Sequence, residues 1–299
     1  MFQRKRYTLP LPNRASLSLG ERTLVMGVLN VTPDSFADGG LHFDPVRAVE
    51  HGRRMIEDGA DIIDVGGEST RPGAEPVAVD EELRRVLPVV EKLAADGTVP
   101  VSIDTYKSVV ALEAVARGAT IVNDIGGLQY EAALASVVAH SKAGLVLMHN
   151  RGRSREMYRL ASYGSVAEEI VAELQRAIDR AVAAGVLTDA IIVDPGLGFA
   201  KRADHSYAAL ASLDTLARLD RPVLTGPSRK SFLTQAIGDV EPTERDWGTA
   251  GAVAASVLLG AHIVRVHRVR EMAQVVRVAD QVRWAWEGST GARQPAHQM

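Results

Sequence analysis

A chain of 299 residues, 46% hydrophobic and 24% charged, holds enough apolar material for one large core or two modest ones, which excludes a disordered protein. Its formal net charge of -3 gives no general electrostatic attraction to nucleic acid or to an anionic membrane, so any anion site has to be local. Cysteine is absent, which excludes disulfides, thiolate metal centres and cysteine nucleophiles and fits a reducing cytoplasm.

The opening stretch MFQRKRYTLPLPNRASLSLG carries basic residues but no apolar run of signal-peptide length. A run of about eighteen apolar residues, the length of a membrane span, occurs nowhere. The expectation is a soluble cytoplasmic protein in which RYTLPLPNRASLSLG forms a small β-hairpin or plug. Short β-branched runs then recur: TLVMGVL, DIIDVGG, VPVSIDT, ATIVNDI, GLVLMHN, AIIVDPG, RPVLTG and HIVRVH. Between them lie helical patterns such as DPVRAVEHGRRMIEDG, DEELRRVLPVVEKLAADG, YKSVVALEAVARG and GSVAEEIVAELQRAIDRAVAAG. Asp44 before Pro45 reads as an N-cap, and Gly59, Gly97, Gly118 and Gly185 stand where left-handed C-caps fall.

Nearly continuous apolar strands call for a parallel sheet covered on both faces. Eight strand and helix units within about 250 residues suit a closed (β/α)8 TIM barrel, an α/β fold; a doubly wound open sheet is the alternative. We expect a single domain over 1–299, with the barrel at about 24–286 and a tail of disordered composition at 287–299.

Polar residues follow nearly every apolar run: Asn30, Asp64 and Glu68, Asp104, Asn123 and Asp124, Asn150, Asp194, Arg229 and Lys230, and His267. In a parallel barrel these strand ends share one mouth, where active sites of this fold lie. Asp61, Asp124 and Asp246 read as caps or solvated groups. Asp104 and Asp194 directly end apolar runs and need polar partners. Arg265 and His267, two apart on one strand, share a face suited to a phosphate-type anion, whereas His51, His140, His205 and His262 read as structural.

DVGGESTRPG has the composition of a lid and carries Glu68, Ser69, Thr70, Arg71 and Pro72. GPSRKSF, with Ser228, Arg229, Lys230 and Ser231, is either a phosphate-binding loop or a basic helix start, without the spacing of a nucleotide P-loop. No His/Glu cluster has metal-ligand spacing, but magnesium keeps most of its waters, so Asn30 or Asp64 would suffice. The nucleophile elbow GxSxG is missing, which argues against covalent acyl chemistry.

Taken in order and with barrel spacing, NVTPDSFADGG, DVGGESTRPGA, VSIDT, VND, DPGLGF, GPSRKSF and RVH resemble the dihydropteroate synthase family of bacterial folate synthesis, from about Leu24 to Trp284. The resemblance implies a transferase that condenses 6-hydroxymethyl-7,8-dihydropterin diphosphate with 4-aminobenzoate by an SN1-like, Mg2+-assisted course. It implies a deep pterin pocket of Asp104, Asn123, Asp194 and Lys230, with Asn30 holding Mg2+ against the diphosphate and Arg265 and His267 gripping its oxygens. Asp104, Lys230, Arg265 and His267 are then the catalytic set. Aminobenzoate would enter a shallower site made as the first two loops close, at Phe36, Thr70, Pro72, Phe199, Arg229 and Ser231.

The resemblance further implies competitive inhibition by sulfonamides and a homodimer, for which GTAGAVAASVLLGA is a candidate interface helix. It implies small-molecule substrates, with no nucleic-acid or membrane partner. This chain departs from the family pattern at Ala37, where serine is common, and at Arg268, which adds charge at the diphosphate end. The rival readings are the pterin-binding barrel of corrinoid methyltransferases, against which SRK and RVH argue, and a non-catalytic pterin-binding paralogue.

Overall fold

The computed structural model describes residues 3–32, 44–69, 73–153 and 156–291. β1 (Tyr7–Leu9) and β2 (Leu17–Leu19) pair antiparallel, with Tyr7 opposite Leu19, and form the expected hairpin. The chain then alternates through β3 (Leu24–Asn30), α1 (Pro45–Glu57), β4 (Ile62–Gly66), α2 (Val79–Asp96), β5 (Val101–Asp104), α3 (Ser108–Ala116), β6 (Ile121–Asp124), α4 (Ala133–Ser141) and β7 (Gly144–Met148). It continues with α5 (Val166–Ala183), β8 (Ile191–Asp194), α6 (Ala203–Ala211), β9 (Leu224–Thr225), α7 (Thr234–Ile237), α8 (Asp246–Leu258), β10 (Ile263–Val266) and α9 (Val269–Gly291).

The eight strands from β3 to β10 form one parallel sheet in the order β8-β7-β6-β5-β4-β3-β10-β9. Its two ends meet where Val193 bridges Val223 and donates its N–H to the Pro222 carbonyl at 3.0 Å. A ring of strands in near-sequential order excludes the doubly wound alternative, whose order reverses at a switch point.

Side-chain alternation sorts the apolar residues into two cores. Leu24, Met26, Ile62, Ile121, Val146, Ile192, Leu224 and Ile263 point into the barrel and pack with Leu9, Leu11 and Leu19 of the hairpin segment. The intervening Val25, Ile63, Val65, Val122, Leu145 and Val193 face the surrounding helices. The hairpin therefore plugs the N-terminal end of the barrel. Arg4 ties it down by donating to the Thr23 hydroxyl at 2.6 Å and the Ala261 carbonyl at 2.8 Å and by pairing with Asp280. His262 lies between the Val223 N–H and the Lys5 carbonyl, at 3.0 Å from each, in the structural role expected of it.

Local signals explain the helix ends. Asp44 accepts the N–H groups of Val46 and Arg47 with Pro45 following it, and Gly97 closes α2 in the left-handed conformation. α9 runs past the expected boundary near 286 to Gly291, carried by the Arg283–Glu287 pair one turn apart and by Ser289 bonding back to the Trp286 carbonyl. No helix among the described residues is long and apolar enough to cross a membrane.

Candidate active site

The alternation that fills the barrel with aliphatic side chains also builds a polar layer above them. Moving two residues toward the C-terminal end of each strand takes Ile62 to Asp64, Ile121 to Asn123, Val146 to Met148, Ile192 to Asp194 and Ile263 to Arg265, all on the same inward face. Asp104, two beyond Ser102 and paired in register with Asn123, joins this layer from β5.

Arg265 binds the layer together. Its Nε donates to Asp64 Oδ2 and its Nη2 to Asp104 Oδ2, each at 2.6 Å. Burial opposes the guanidinium charge, but Asp64 and Asp104 outweigh it and raise the pKa. Asp64 is 0% exposed; its Oδ2 also accepts from Asn123 Nδ2 at 2.9 Å, while Oδ1 lacks a hydrogen-bond partner among the described residues. Burial pushes the Asp104 carboxyl up to about 7 despite Arg265, and the charge of Asp64 adds to the rise. Asp194, whose Oδ1 accepts the Gly196 N–H at 2.7 Å, is pushed by burial up to about 6, with Lys230, Lys201 and Arg265 opposing.

The loop after β8 brings Phe199 over this layer and against Lys230, whose Nζ lies 3.9 Å from the ring centroid. Gly198, at φ +78°, lets the chain turn there, and a β-carbon on it would stand 3.4 Å from Lys230 Cδ. Ser228 orients His267: its hydroxyl oxygen accepts the His267 N–H at 3.2 Å and lies 2.9 Å from Nδ1. When Ser228 donates to Nδ1, the ring proton sits on Nε2, where it can be given to an anion.

Other sequence-selected residues stand farther from the layer or are engaged elsewhere. Arg229 makes a two-bond fork onto Asp246, at 2.9 and 3.1 Å, with its backbone at φ +60° and its N–H on the Thr249 hydroxyl. Asp246, read from sequence as a cap or a solvated group, is therefore an ion-pair partner. Ser231 is exposed, with Tyr158 OH 3.4 Å from its Oγ. Arg268, whose added charge set this chain apart, pairs with Glu271 and lies 3.9 Å from Asp246. Asp124 caps its own loop, accepting from Gly126 and Leu128, as expected. Phe36, Thr70 and Pro72 lie outside the described residues.

Asn30 ends β3 on the inward face shared with Leu24 and Met26, beside Gly66 in register and one pleat beyond the level of Asp64. Asn30 carries an amide oxygen and Asp64 Oδ1 lacks a hydrogen-bond partner among the described residues, so each is an oxygen donor of the kind magnesium takes. Among the described residues no group of three or more His, Asp or Glu is arranged to cage a metal.

Three features escaped sequence reasoning. Asp64 was read only as a strand-end residue and a magnesium candidate, yet it underlies both Asn123 and Arg265; its parity with Ile62 was the available signal. Glu68, at the root of the second loop, accepts from Lys107 at 2.7 Å, Tyr106 at 3.1 Å and the Val77 N–H at 2.9 Å. Lys107 also donates to buried Glu82, which fixes that root to α2. The third feature is His149, buried directly after β7.

A family model described as pterin binding enzyme matches residues 26–267. The chain is 45% identical over 272 residues to a dihydropteroate synthase of Synechocystis, covering 91% of this chain and 94% of that one. It is equally 45% identical over 266 residues to that of Bacillus subtilis, covering 89% and 90%. Among solved structures, the Yersinia pestis dihydropteroate synthase with a sulfonamide drug complex has a TM-score of 0.85 at 40% identity, covering 92% of this chain and 99% of that one. The Burkholderia cenocepacia dihydropteroate synthase complexed with 7,8-dihydropteroate has a TM-score of 0.84 at 39% identity, covering 94% and 98%.

Proposed function

The chain belongs to the dihydropteroate synthase family of pterin-binding enzymes, and from that premise we propose that its barrel mouth joins 6-hydroxymethyl-7,8-dihydropterin diphosphate to 4-aminobenzoate, releasing diphosphate. The observation that carries the residue assignment is the polar layer of buried Asp64, Asn123 and Asp194 with half-buried Asp104 and Arg265, and Lys230 at its rim.

A pterin's pyrimidine edge presents N–H donors side by side, which one carboxylate accepts in a pair; Asp194 has the depth and the acceptor for this. Asn123 and Asp104 meet the remaining polar edge, and Lys230 donates to the ring carbonyl and nitrogen. Arg265 has Nε and Nη2 committed to carboxylates, so Nη1 is the group it offers to a diphosphate oxygen. His267, with its proton on Nε2, donates beside it.

Asn30 and Asp64 Oδ1 are the oxygens that would hold magnesium, which when bound supplies positive charge to the leaving diphosphate. Donation from Arg265 and His267 stabilises the same developing charge. The bond from the pterin methylene carbon to the diphosphate oxygen breaks first, and the electron-rich dihydropterin spreads the positive charge. The arylamine nitrogen then attacks the methylene and gives up one proton to solvent. No protein nucleophile takes part, in keeping with a sequence that lacks both cysteine and the GxSxG elbow.

Aminobenzoate would bind between Phe199, Ser231 and the loops bearing Phe36, Thr70 and Pro72, and Arg229 would order that rim through Asp246. The same reading makes a sulfonamide a competitor for this site. It also makes the enzyme cytoplasmic and homodimeric. α8 turns Ala252, Val253 and Val257 toward the barrel and leaves Trp247 89% exposed for a second copy. To test the reading, purified protein is supplied with Mg2+ and both substrates. Dihydropteroate should form, and a sulfonamide should raise the aminobenzoate KM without lowering kcat. Pterin bound without turnover would identify a non-catalytic paralogue.

A further inference from the structure

Between the C-terminal ends of β7 and β8 and helix α5 runs a chain of polar groups, buried at its inner end, that the condensation does not use. Lys201 is 1% exposed, and its Nζ donates to His149 Nδ1 at 2.8 Å and to the Phe199 carbonyl at 3.1 Å. His149 is 2% exposed, and its Nε2 stands 3.0 Å from Glu173 Oε2 on α5. Glu173 is held in turn by Arg151 Nη2 at 2.6 Å. Burial pulls the Lys201 amine down to about 7 against the charge of Asp194; in its ammonium form it has no lone pair, so Nδ1 is the acceptor and Nε2 carries the proton that reaches Glu173. Burial, followed by the charge of Lys201, pulls the imidazole down to about 4, which keeps it in this neutral tautomer.

The segment that Lys201 holds is strained. Ala200 sits at φ +48°, a region alanine keeps only where neighbours fix it, and Tyr163 OH grips its carbonyl at 2.9 Å. Stability alone gives no reason for a buried ammonium here, because a packed apolar side chain avoids the desolvation cost. The charge has a use in its surroundings: it acts on the Asp194 carboxylate with Lys230 and Arg265.

We propose that Lys201, backed by His149 and Glu173, is a positioning residue of the pterin pocket: it fixes the Phe199 peptide so that the ring seats Lys230. The inference rests on the pterin-pocket assignment above. Binding of 6-hydroxymethyl-7,8-dihydropterin diphosphate, measured by calorimetry with Mg2+, separates the two. Lys201→Met should weaken Kd about tenfold or more at unchanged stoichiometry, as loss of a charged hydrogen bond does, and should raise the pterin KM by a similar factor while kcat stays within about threefold. Glu173→Ala, at the accessible end of the chain, should weaken Kd by about threefold or more, and it decides the matter if Lys201→Met does not fold. A Kd within twofold of wild type, or lost stoichiometry at unchanged Kd, overturns the proposal. Wild-type protein that binds pterin but forms no dihydropteroate would refute the condensation and leave this inference standing.

Discussion

Asp194 ends a strand of Ile191, Ile192 and Val193, and that position both selects and perturbs it. Burial raises its pKa to about 6, above the ordinary value near 4, so between those limits the folded protein holds a proton that the unfolded chain does not. Acidification from neutral pH through that window therefore relieves a cost of folding at this residue. Pterin binding needs the carboxylate and should weaken over the same range. Pterin affinity and the Asp194 contribution to stability, taken as the difference between wild type and Asp194→Asn in chemical denaturation at matched pH, should move in opposite directions, and a parallel fall of both would count against the assignment. Lys230→Ala should lower kcat/KM by about a hundredfold or more through lost substrate contacts. Arg265→Ala should do the same and also lower stability by about 3–5 kcal/mol, because it leaves Asp64 and Asp104 buried without their cation. Asp104, Asn123 and Asp194 were legible in sequence because each interrupts an apolar run. His149 was not, since its meaning depends on Lys201 and Glu173, which only the fold brings near.

At the scale of elements, short continuous apolar runs between glycine-punctuated helices were enough to read the barrel, because each strand must be apolar on both faces yet polar at one end. The short β9 owes its place to neighbours on both sides: β10 in register and the Val193–Val223 bridge. The N-terminal segment was harder to read, for RYTLPLPNRASLSLG shows alternation but nothing of what it covers. Its leucines complete the inner core, so Leu19→Ala should cost about 2–5 kcal/mol in denaturant unfolding while leaving kcat nearly unchanged. An equal loss of kcat would mean that the plug reaches the mouth. The tail boundary was misplaced because composition registers Gly288 and Ser289 but not the Arg283–Glu287 pair that extends α9.

For the whole molecule, fold, family and site coincide: one polar layer closes the inner core of the barrel at the end opposite the hairpin, and the motifs that identify the family supply it. Quaternary structure is separable from this. If α8 forms the homodimer contact, Trp247→Glu should shift the mass measured by light scattering from dimer to monomer, and an unchanged mass would move the interface elsewhere. The central claim meets its most direct test in the product balance of wild-type protein and Asp194→Asn, each given Mg2+, pterin diphosphate and 4-aminobenzoate. Dihydropteroate and diphosphate should appear in equal amounts with the wild type, and the variant should be slower by about a hundredfold or more. Bound pterin diphosphate that never yields dihydropteroate, or a variant as fast as wild type, would contradict the account.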